Sequence, residues 1–406
     1  KPIIAFMHFT VNDNNYFRFK SLKEMDADLH LVSNSDASLW IHSDESPESM
    51  KEIMVELNQI DLKELSTKFT VIPSLKGLLN ATFRYVPMEN SFMVVADGGV
   101  DDLYYESGRI GELLLNATYM PMDNGTHQVD LHAFHDMSEV ASLYLLYKGG
   151  RYESNINGEI SIDKLPLNIV NAMIPGQMAR LDGVLLGKFS IAGTDKKPVI
   201  DGSLQVDGGS VYVVPAASTY RFDNKPIKVT KNKVSLDKYG IYALKDNPLV
   251  IDGIIDATNT SRPTVDLKIS ATNLQLMDSK KSPGSLAYGR LFLNLNTTLN
   301  GSLQALRMRG NLHILGNTNL TYVMLDSPLE VEDSFNNLVT FSYFADTLPS
   351  RTRRPFNFAR GTRNVAMASG TEMLMYINID PVVRIRVDLD EEQSNFVELK
   401  GGRDLS

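Results

Sequence analysis

The sequence predicts an all-β protein, and three observations carry this prediction. Apolar and polar residues alternate with a period of two through most of the 406 residues. These strand patterns recur about every 10–15 residues, separated by turn residues rather than by long helices. A repeated unit combines a strand, a short helical segment and a glycine-led strand. We therefore expect an elongated, mostly antiparallel curved sheet with a few short helices, and the spacing excludes a parallel βαβ architecture.

The composition narrows the functional classes. The chain is 43% hydrophobic and 22% charged, as in globular proteins, and its net charge of −9 argues against nucleic acid as the main partner. It contains no cysteine, which excludes thiol nucleophiles, cysteine-ligated zinc and disulfides. No apolar run is long enough to span a membrane as a helix. Because the chain begins Lys-Pro-Ile-Ile, without Met or a signal peptide, we expect an internal or processed part of a longer protein.

Individual stretches support the strand predictions. In "RLFLNLNTTLNG", Leu291, Leu293 and Leu295 share one face of a strand, since successive side chains point to opposite faces. In "PTVDLKISATNLQL" the alternation changes phase at Leu274, which predicts a β-bulge. In "GSLQVDGGSVYVVP" two apolar-patterned halves flank Asp207-Gly208-Gly209, and this arrangement predicts a hairpin turn.

The better-patterned face of these strands is apolar from one strand to the next, and its members define a candidate groove. The candidate lining residues are Leu204, Val206, Val211, Val213, Leu249, Ile251, Ile255, Leu267, Ile269, Leu291, Leu293, Leu295, Met308, Leu312 and Ile314. Two sheets could bury this face in a closed sandwich core. Alternatively, one curved sheet could leave an open trough for acyl chains, each buried methylene contributing about 0.8 kcal/mol. In an open trough, a charge placed at Leu293 would still reach water.

Two short helices are predicted, near residues 62–69 and 165–172. Each follows an aspartate that can accept hydrogen bonds from the first turn, Asp61 in one case and Asp163 in the other. A proline after an isoleucine ends each candidate segment.

These helices belong to an internal repeat. The Ile-Pro steps at 72–73 and 174–175 lie 174 − 72 = 102 residues apart, and a glycine-led strand follows each of them. A fainter third copy begins near Leu276. Because stacked repeats share a continuous core or groove, we expect the same architecture in every copy.

We divide the chain into a region of β-groove repeats at 1–155 and a second groove region at 156–406. The second region contains a predicted loop at 348–364, with five arginines, two prolines and no periodicity. Its arginines could contact lipid headgroups or an acidic partner, although an exposed loop with no binding role has the same composition.

No stretch predicts catalysis or a cofactor. Asp130, His132, His135 and Asp136 form one metal-like cluster, but a strand directs His132 and His135 to opposite faces, so we predict no metal site. No G-x-S-x-G nucleophile motif and no phosphate-binding glycine loop occur. We therefore predict that the protein is not an enzyme.

The glycine spacing from Leu181 onward resembles that of a known family. The residues carrying the resemblance are Gly183, Leu185, Gly187, Gly193, Thr194, Pro198, Gly202 and Leu204, and the similarity extends over about 155–406. The family is TamB, the translocation and assembly module, in its carboxy-terminal domain. The resemblance implies a "β-taco", a curved sheet with an apolar concave face, and thus favours the open trough.

The resemblance also implies a place in the cell and a set of partners. It implies a periplasmic protein of a Gram-negative bacterium, anchored in the inner membrane outside this chain. The expected function is phospholipid transport between the inner and outer membranes, outer-membrane protein assembly, or both. Expected partners are phospholipid acyl chains and an outer-membrane barrel assembly protein of the Omp85/TamA type, with no nucleic acid. The alternative is a structural β-sandwich repeat or an adhesin-like surface protein.

Overall fold

A computed structural model describes most of the chain, and it confirms the all-β prediction. The described residues are 2–4, 7–21, 23–44, 51–68, 73–174, 178–243, 247–282, 285–323, 372–388 and 396–400. Strands make up 73% of them and helices 5%, and the strand pairing is mostly antiparallel. The arginine-rich loop predicted at 348–364 lies outside the described residues.

The chain divides into two compact units. Unit 1 comprises Lys1–Val211 with Phe222–Asn232, and unit 2 comprises Tyr212–Arg221 with Lys233–Ser406. Strand β14 starts in unit 1 and ends in unit 2. The functional boundary predicted between 155 and 156 stays a prediction.

Unit 1 is an antiparallel meander whose strands pair in chain order from β4 to β13. Its elements are β1 (Ile3–Ile4), β2 (Met7–Val11), β3 (Tyr16–Ser21), β4 (Glu24–Ser33), β5 (Ser38–Ser43), β6 (Ile53–Asp61), helix α1 (Leu62–Lys68), β7 (Leu75–Pro87), β8 (Phe92–Tyr105), β9 (Gly108–Pro121), β10 (Thr126–His135), β11 (Ser138–Lys148), β12 (Asn155–Pro166), a 3-10 helix (Leu167–Met173), β13 (Ala179–Thr194), β14 (Pro198–Val213) and β16 (Ile227–Thr230).

Unit 2 is also built mainly of strands. Its elements are a 3-10 turn (Val214–Ala216), β15 (Ser218–Phe222, of which Phe222 is counted in unit 1), β17 (Lys233–Tyr242), β18 (Leu249–Asp256), β19 (Thr264–Ser279), β20 (Ala287–Ser302), β21 (Ala305–Ile314), β22 (Asn319–Val323), β23 (Glu372–Ile379), β24 (Arg384–Asp388) and β25 (Phe396–Lys400). The strands β17 to β21 pair antiparallel in chain order. Two pairings are parallel, β21 with β23 and β22 with β24.

The predicted helices have different outcomes. The first is the α-helix α1, and Asp61 caps it, since its Oδ1 accepts a hydrogen bond from the Lys63 N–H at 2.8 Å. The second is a 3-10 helix, Leu167–Met173, within two residues of the predicted bounds. The cap predicted at Asp163 is wrong, because strand β12 continues to Pro166 and leaves this carboxylate inside the strand.

The hairpin predicted at Asp207-Gly208-Gly209 is also wrong. Strand β14 runs through these residues without a turn, and Gly208 has a φ of +59°. A glycine in this conformation shifts the alternation by one residue, as a bulge does. Leu204 and Val206 therefore precede the shift and Val211 and Val213 follow it on a single strand.

Three strands contain a bulge at a residue with positive φ. A residue with positive φ interrupts β6 at Gln59, β12 at Lys164 and β19 at Asn273, and the register shifts at each place. The shift in β19 lies between Ala271 and Leu274, which confirms the bulge predicted from the phase change. Because bulges bend strands, we expect each of these three strands to bend at its positive-φ residue.

A side chain of the neighbouring strand supports several of these bulges. The Oδ1 atom of Asn80 accepts a hydrogen bond from the Gln59 N–H at 2.9 Å. Asn294 Oδ1 does the same for the Asn273 N–H at 2.6 Å. The extra residue of a bulge leaves its N–H outside the ladder, so an Asn on the facing strand satisfies a donor that would otherwise lack a partner.

We predict that Asn273 is needed for this backbone conformation. A β-branched residue is strained at the positive φ of 48°, so Asn273→Val should lower the free energy of unfolding by about 1–3 kcal/mol. Asn273→Gly, which adopts this φ freely, should change it by well under about 1 kcal/mol. Urea unfolding of the two variants measures the difference. Equal midpoints for Val and Gly would show that the bulge exerts no such constraint.

Candidate functional site

Unit 1 carries a row of apolar side chains that crosses ten consecutive strands. Directly paired residues of antiparallel strands lie on the same face, so the ladder register traces the row. The unit 1 apolar row is Leu29, Ile41, Val55, Phe83, Ala96, Ala117, Leu131, Leu143, Ile160 and Phe189. We call the side of β4–β13 that carries this row the unit 1 apolar face.

The row is only partly covered. None of its ten members is buried, and the side chain of Phe83 is 43% exposed. A closed sandwich would instead bury the central row of its inner face almost completely. Within the described residues, the unit 1 apolar face is therefore not buried as a sandwich core would be: nine members of its row are half-buried and Phe83 is exposed.

The opposite face of the same strands is polar. One register line on that side runs Glu56, Thr82, Asp97, Asn116, His132, Ser142, Ser161 and Lys188. Asn116 Nδ2 donates a hydrogen bond to Asp97 Oδ1 across β8 and β9 at 2.9 Å. The strands thus separate an apolar side from a hydrated side, and the apolar side is available to a ligand.

Short helical elements close one end of the unit 1 apolar face. Leu65 of α1 packs against the buried pair Phe9 and Leu31. The 3-10 helix is fixed to β13 because the Asn171 side chain donates to Leu181 O at 2.9 Å and accepts from the Leu181 N–H at 2.6 Å. It also lies close to Gly108, where an added Cβ would come within 2.3 Å of Ala172.

Unit 2 brings most of the predicted lining residues together on one face. Register lines connect Ile251 with Ile269, Leu267 with Met308 through Leu299, and Leu295 with Leu312. The bulge in β19 places Leu274 opposite Leu293, which pairs in turn with Ile314. The predicted residues of β18 to β21 therefore form a contiguous surface. Their role in binding lipid stays a prediction.

Part of this surface is closed. Ala243, Ala271, Leu274 and Leu293 form a buried cluster, with Leu274 2% and Leu293 8% exposed. The half-buried residues packed against it are Tyr220, Leu249, Leu276, Leu291, Leu295 and Leu312. A charge at Leu293 would lie among these side chains, so the expectation that it would reach water fails at this position. By contrast, Ile251, Ile269 and Met308 are half-buried.

The four predicted lining residues of β14 lie at the division between the two units, with Val213 in unit 2 and the others in unit 1. Leu204 pairs with Ile227 of β16 in unit 1. Val206, Val211 and Val213 are half-buried, as Leu204 is. Leu204 lies near Phe189, the β13 member of the unit 1 apolar row, because a Cβ added at Gly187 would come 3.2 Å from Leu204 and 2.9 Å from Phe189.

Two tyrosines on the apolar surfaces show the effect of local desolvation. Burial raises the pKa of Tyr220, which packs against the unit 2 cluster, and a hydrogen bond with Ser218 partly opposes this. Burial also raises the pKa of Tyr85 in unit 1. In contrast, hydrogen bonds from Thr258 lower the pKa of Asp256 to about 2.

The metal-like cluster does not assemble. His132 and His135 lie on strand β10, as predicted, where His132 contacts Glu139 at 2.8 Å and His135 Nε2 lies 2.8 Å from Ile110 O. Within the part of the chain that the structure describes, no three His, Asp or Glu side chains converge as metal ligands would.

Sequence reasoning expected a groove in residues 1–155 but named none of the residues of the unit 1 apolar face, and it also missed the buried residues Leu274 and Ala243. Unit 1 strands such as "ELLLNATYM" contain apolar residues on both faces, and only the register shows which ones align. Leu274 was excluded from the lining because the bulge moves it out of phase with Leu267. Counting the bulge as one skipped residue would have included it.

The fold and this face define a class of protein: an antiparallel β protein with a half-exposed apolar face that crosses many strands. Residues 240–401 match the family model of the TamB C-terminal domain. The resemblance found in the sequence is confirmed over these residues, whereas the glycine motifs from Leu181 to Pro215 lie outside the match. A search of curated proteins and a search of solved structures found no match.

Members of the matched family share a general function. TamB proteins are non-enzymatic proteins of envelope biogenesis, associated with protein assembly or lipid transport, and they work with an assembly partner. Among the described residues, no helix combines the length and the hydropathy that crossing a bilayer requires.

Proposed function

We propose that the apolar faces form a groove along which phospholipids pass between the inner and outer membranes. The observation that carries this proposal is the unit 1 apolar row, which crosses ten strands without a buried member. An exposed apolar surface of this extent is unusual in a soluble protein unless it binds an apolar ligand. Acyl chains fit it because they are flexible and need no specific hydrogen bonds.

The proposed setting follows from the family. We place the protein in the periplasm of a Gram-negative bacterium, anchored in the inner membrane by a segment outside residues 1–406. An outer-membrane barrel assembly protein of the Omp85/TamA type is the proposed partner. A segment of an unfolded outer-membrane protein is the other candidate ligand, because its alternating strands also present one apolar side.

The adhesin-like alternative finds less support. A structural repeat needs closed cores, and the cluster around Leu274 in unit 2 is such a core. However, the open row in unit 1 would then be an apolar surface without a role. The groove proposal accounts for both features, because a local core can hold the strands that present an open face.

We predict that photo-crosslinking in cells distinguishes the two sides of the strands. A photoreactive residue at Leu131 or Ile269 should capture phospholipid, because these side chains lie on the apolar faces. The matched controls are the adjacent positions His132 and Lys268, which are exposed on the polar side. Mass spectrometry of the adducts identifies the ligand. The proposal is contradicted if phospholipid is captured equally at all four positions, or if none is captured at Leu131 and Ile269. If a polypeptide is captured instead, the result supports protein assembly.

A further inference from the structure

A line of aromatic side chains borders the unit 1 apolar face at one end. Tyr85, Phe92, Tyr119, His127 and Tyr147 follow one another with ring centroids 5.3, 5.9, 5.8 and 5.9 Å apart. They lie where β7, β9 and β11 end and where β8 and β10 begin. This is the end of the strands opposite to α1 and the 3-10 helix. We call these five residues the aromatic rim.

The aromatic rim belongs to the same side of the sheet as the apolar row. Tyr119 pairs with Val94 and Val129, which lie two residues from Ala96 and Leu131 of that row. All five rim residues are half-buried. Tyrosine and histidine combine an apolar body with a polar tip, so such residues suit the boundary between hydrocarbon and water.

The rim also offers a hydrogen-bond donor without a protein partner. Tyr119 Oη lies 2.8 Å from His127 Nδ1. If the tyrosine donates this bond, the proton of the neutral imidazole is on Nε2. If His127 Nδ1–H donates instead, the O–H of Tyr119 is not used in this bond and can donate to a ligand. In both tautomers one donor remains, and within the described residues no hydrogen bond of the pair is present besides the one between Tyr119 Oη and His127 Nδ1.

The distance from the rim into the face matches the length of an acyl chain. Along β11, Tyr147 at the rim and Ala141 inside the face are 147 − 141 = 6 residues apart, a distance of about 20 Å at 3.4 Å per residue. Half the hydrocarbon core of a bilayer, which one chain fills, is about 15 Å. An acyl chain lying along the strands would therefore end before the helical elements when its carboxyl end is at the rim.

We propose that the aromatic rim is the subsite for the glycerol-ester region of a diacyl lipid. The acyl chains lie along the unit 1 apolar face, and the remaining donor of the Tyr119–His127 pair binds an ester carbonyl oxygen. This inference rests on the proposed function, because it assumes that acyl chains occupy the face. It adds an orientation, with the ester groups at the rim and the chain ends toward α1 and the 3-10 helix.

Ester and ether lipids test the subsite, because an ether lacks the carbonyl oxygen. The probes are a short-chain diacyl phosphatidylcholine, kept below its micellar concentration, and its dialkyl ether analogue of equal chain length. The wild-type chain should bind the ester lipid about fivefold more tightly, the effect of about one hydrogen bond. Tyr119→Phe/His127→Phe keeps the stacked rings and should reduce this preference to less than about twofold.

The matched control is Tyr144→Phe/His132→Phe. Both residues are exposed on the polar side of β10 and β11, so this variant should keep the fivefold preference. Unfolding followed by the fluorescence of Trp40, the single tryptophan, checks that both variants fold in unit 1.

Three results would overturn the subsite. If the wild-type chain binds both lipids equally, it makes no ester contact. The same conclusion follows if Tyr119→Phe/His127→Phe keeps the full preference for the ester lipid. Neither result contradicts the proposed function. Competition by deacylated glycerophosphocholine at equal concentration would assign the rim to the headgroup. If neither lipid binds at all, the result contradicts the proposed function itself.

Discussion

Leu293→Asp is expected to unfold the centre of unit 2. The substitution places a carboxylate at a position that is 8% exposed, against Leu274 and the surrounding leucines. Burying a charge without a partner and losing the packing of a leucine should together cost about 4 kcal/mol or more. A typical domain has only about 5–15 kcal/mol of stability, so most of it would be lost.

Hydrogen exchange resolved by mass spectrometry measures this locally. We expect the amides of β19–β21 to lose their protection in Leu293→Asp. The control Asn296→Asp adds a carboxylate to the exposed side of the same strand and should keep protection near the wild-type level. Leu293→Ala should fall between the two, since it removes packing without adding charge. Full protection in Leu293→Asp would mean that water reaches this position and that the groove is open there.

The alternation of apolar and polar residues was enough to predict the fold class. Period-two patterns determine which residues share a face within a strand, and the phase change before Leu274 revealed a bulge. The same signal was misinterpreted at Gly208, because a change of phase arises both from a hairpin and from a bulge. Two glycines in sequence fit either geometry, and only the pairing of the flanking halves distinguishes them.

The site was harder to predict than the strands. Which strands align their apolar residues depends on register over the whole meander, and register is not local information. The row through Phe83, Ala117 and Leu131 uses small as well as large residues, so no single strand makes it conspicuous. Exposure also depends on what packs above the face. That is why Leu293, on the most regular strand, is buried while Leu131 is not.

Leu131→Asp is expected to leave the protein folded and to abolish its function in the envelope. Leu131 is an interior member of the unit 1 apolar row and is half-buried, so an aspartate there can turn its carboxylate toward water. The cost in unfolding free energy should be about 1 kcal/mol, well below the cost at Leu293. An acyl chain passing the same point would have to desolvate that charge, which costs several kcal/mol and should block passage. The expected phenotype is normal protein abundance with sensitivity of the cells to detergent.

Two controls separate the charge from other effects of this substitution. Leu131→Ala removes the same side chain without adding charge, and it should retain most of the envelope function. Ser142→Asp adds a carboxylate on the polar side of neighbouring β11, next to His132, and should also retain function. Trp40 fluorescence during urea unfolding reports the stability of unit 1 in every variant, and immunoblots report abundance. If Leu131→Asp folds and the cells still resist detergent, lipid does not pass along this row. If it unfolds as readily as Leu293→Asp, the row is a closed core and the groove interpretation of unit 1 fails.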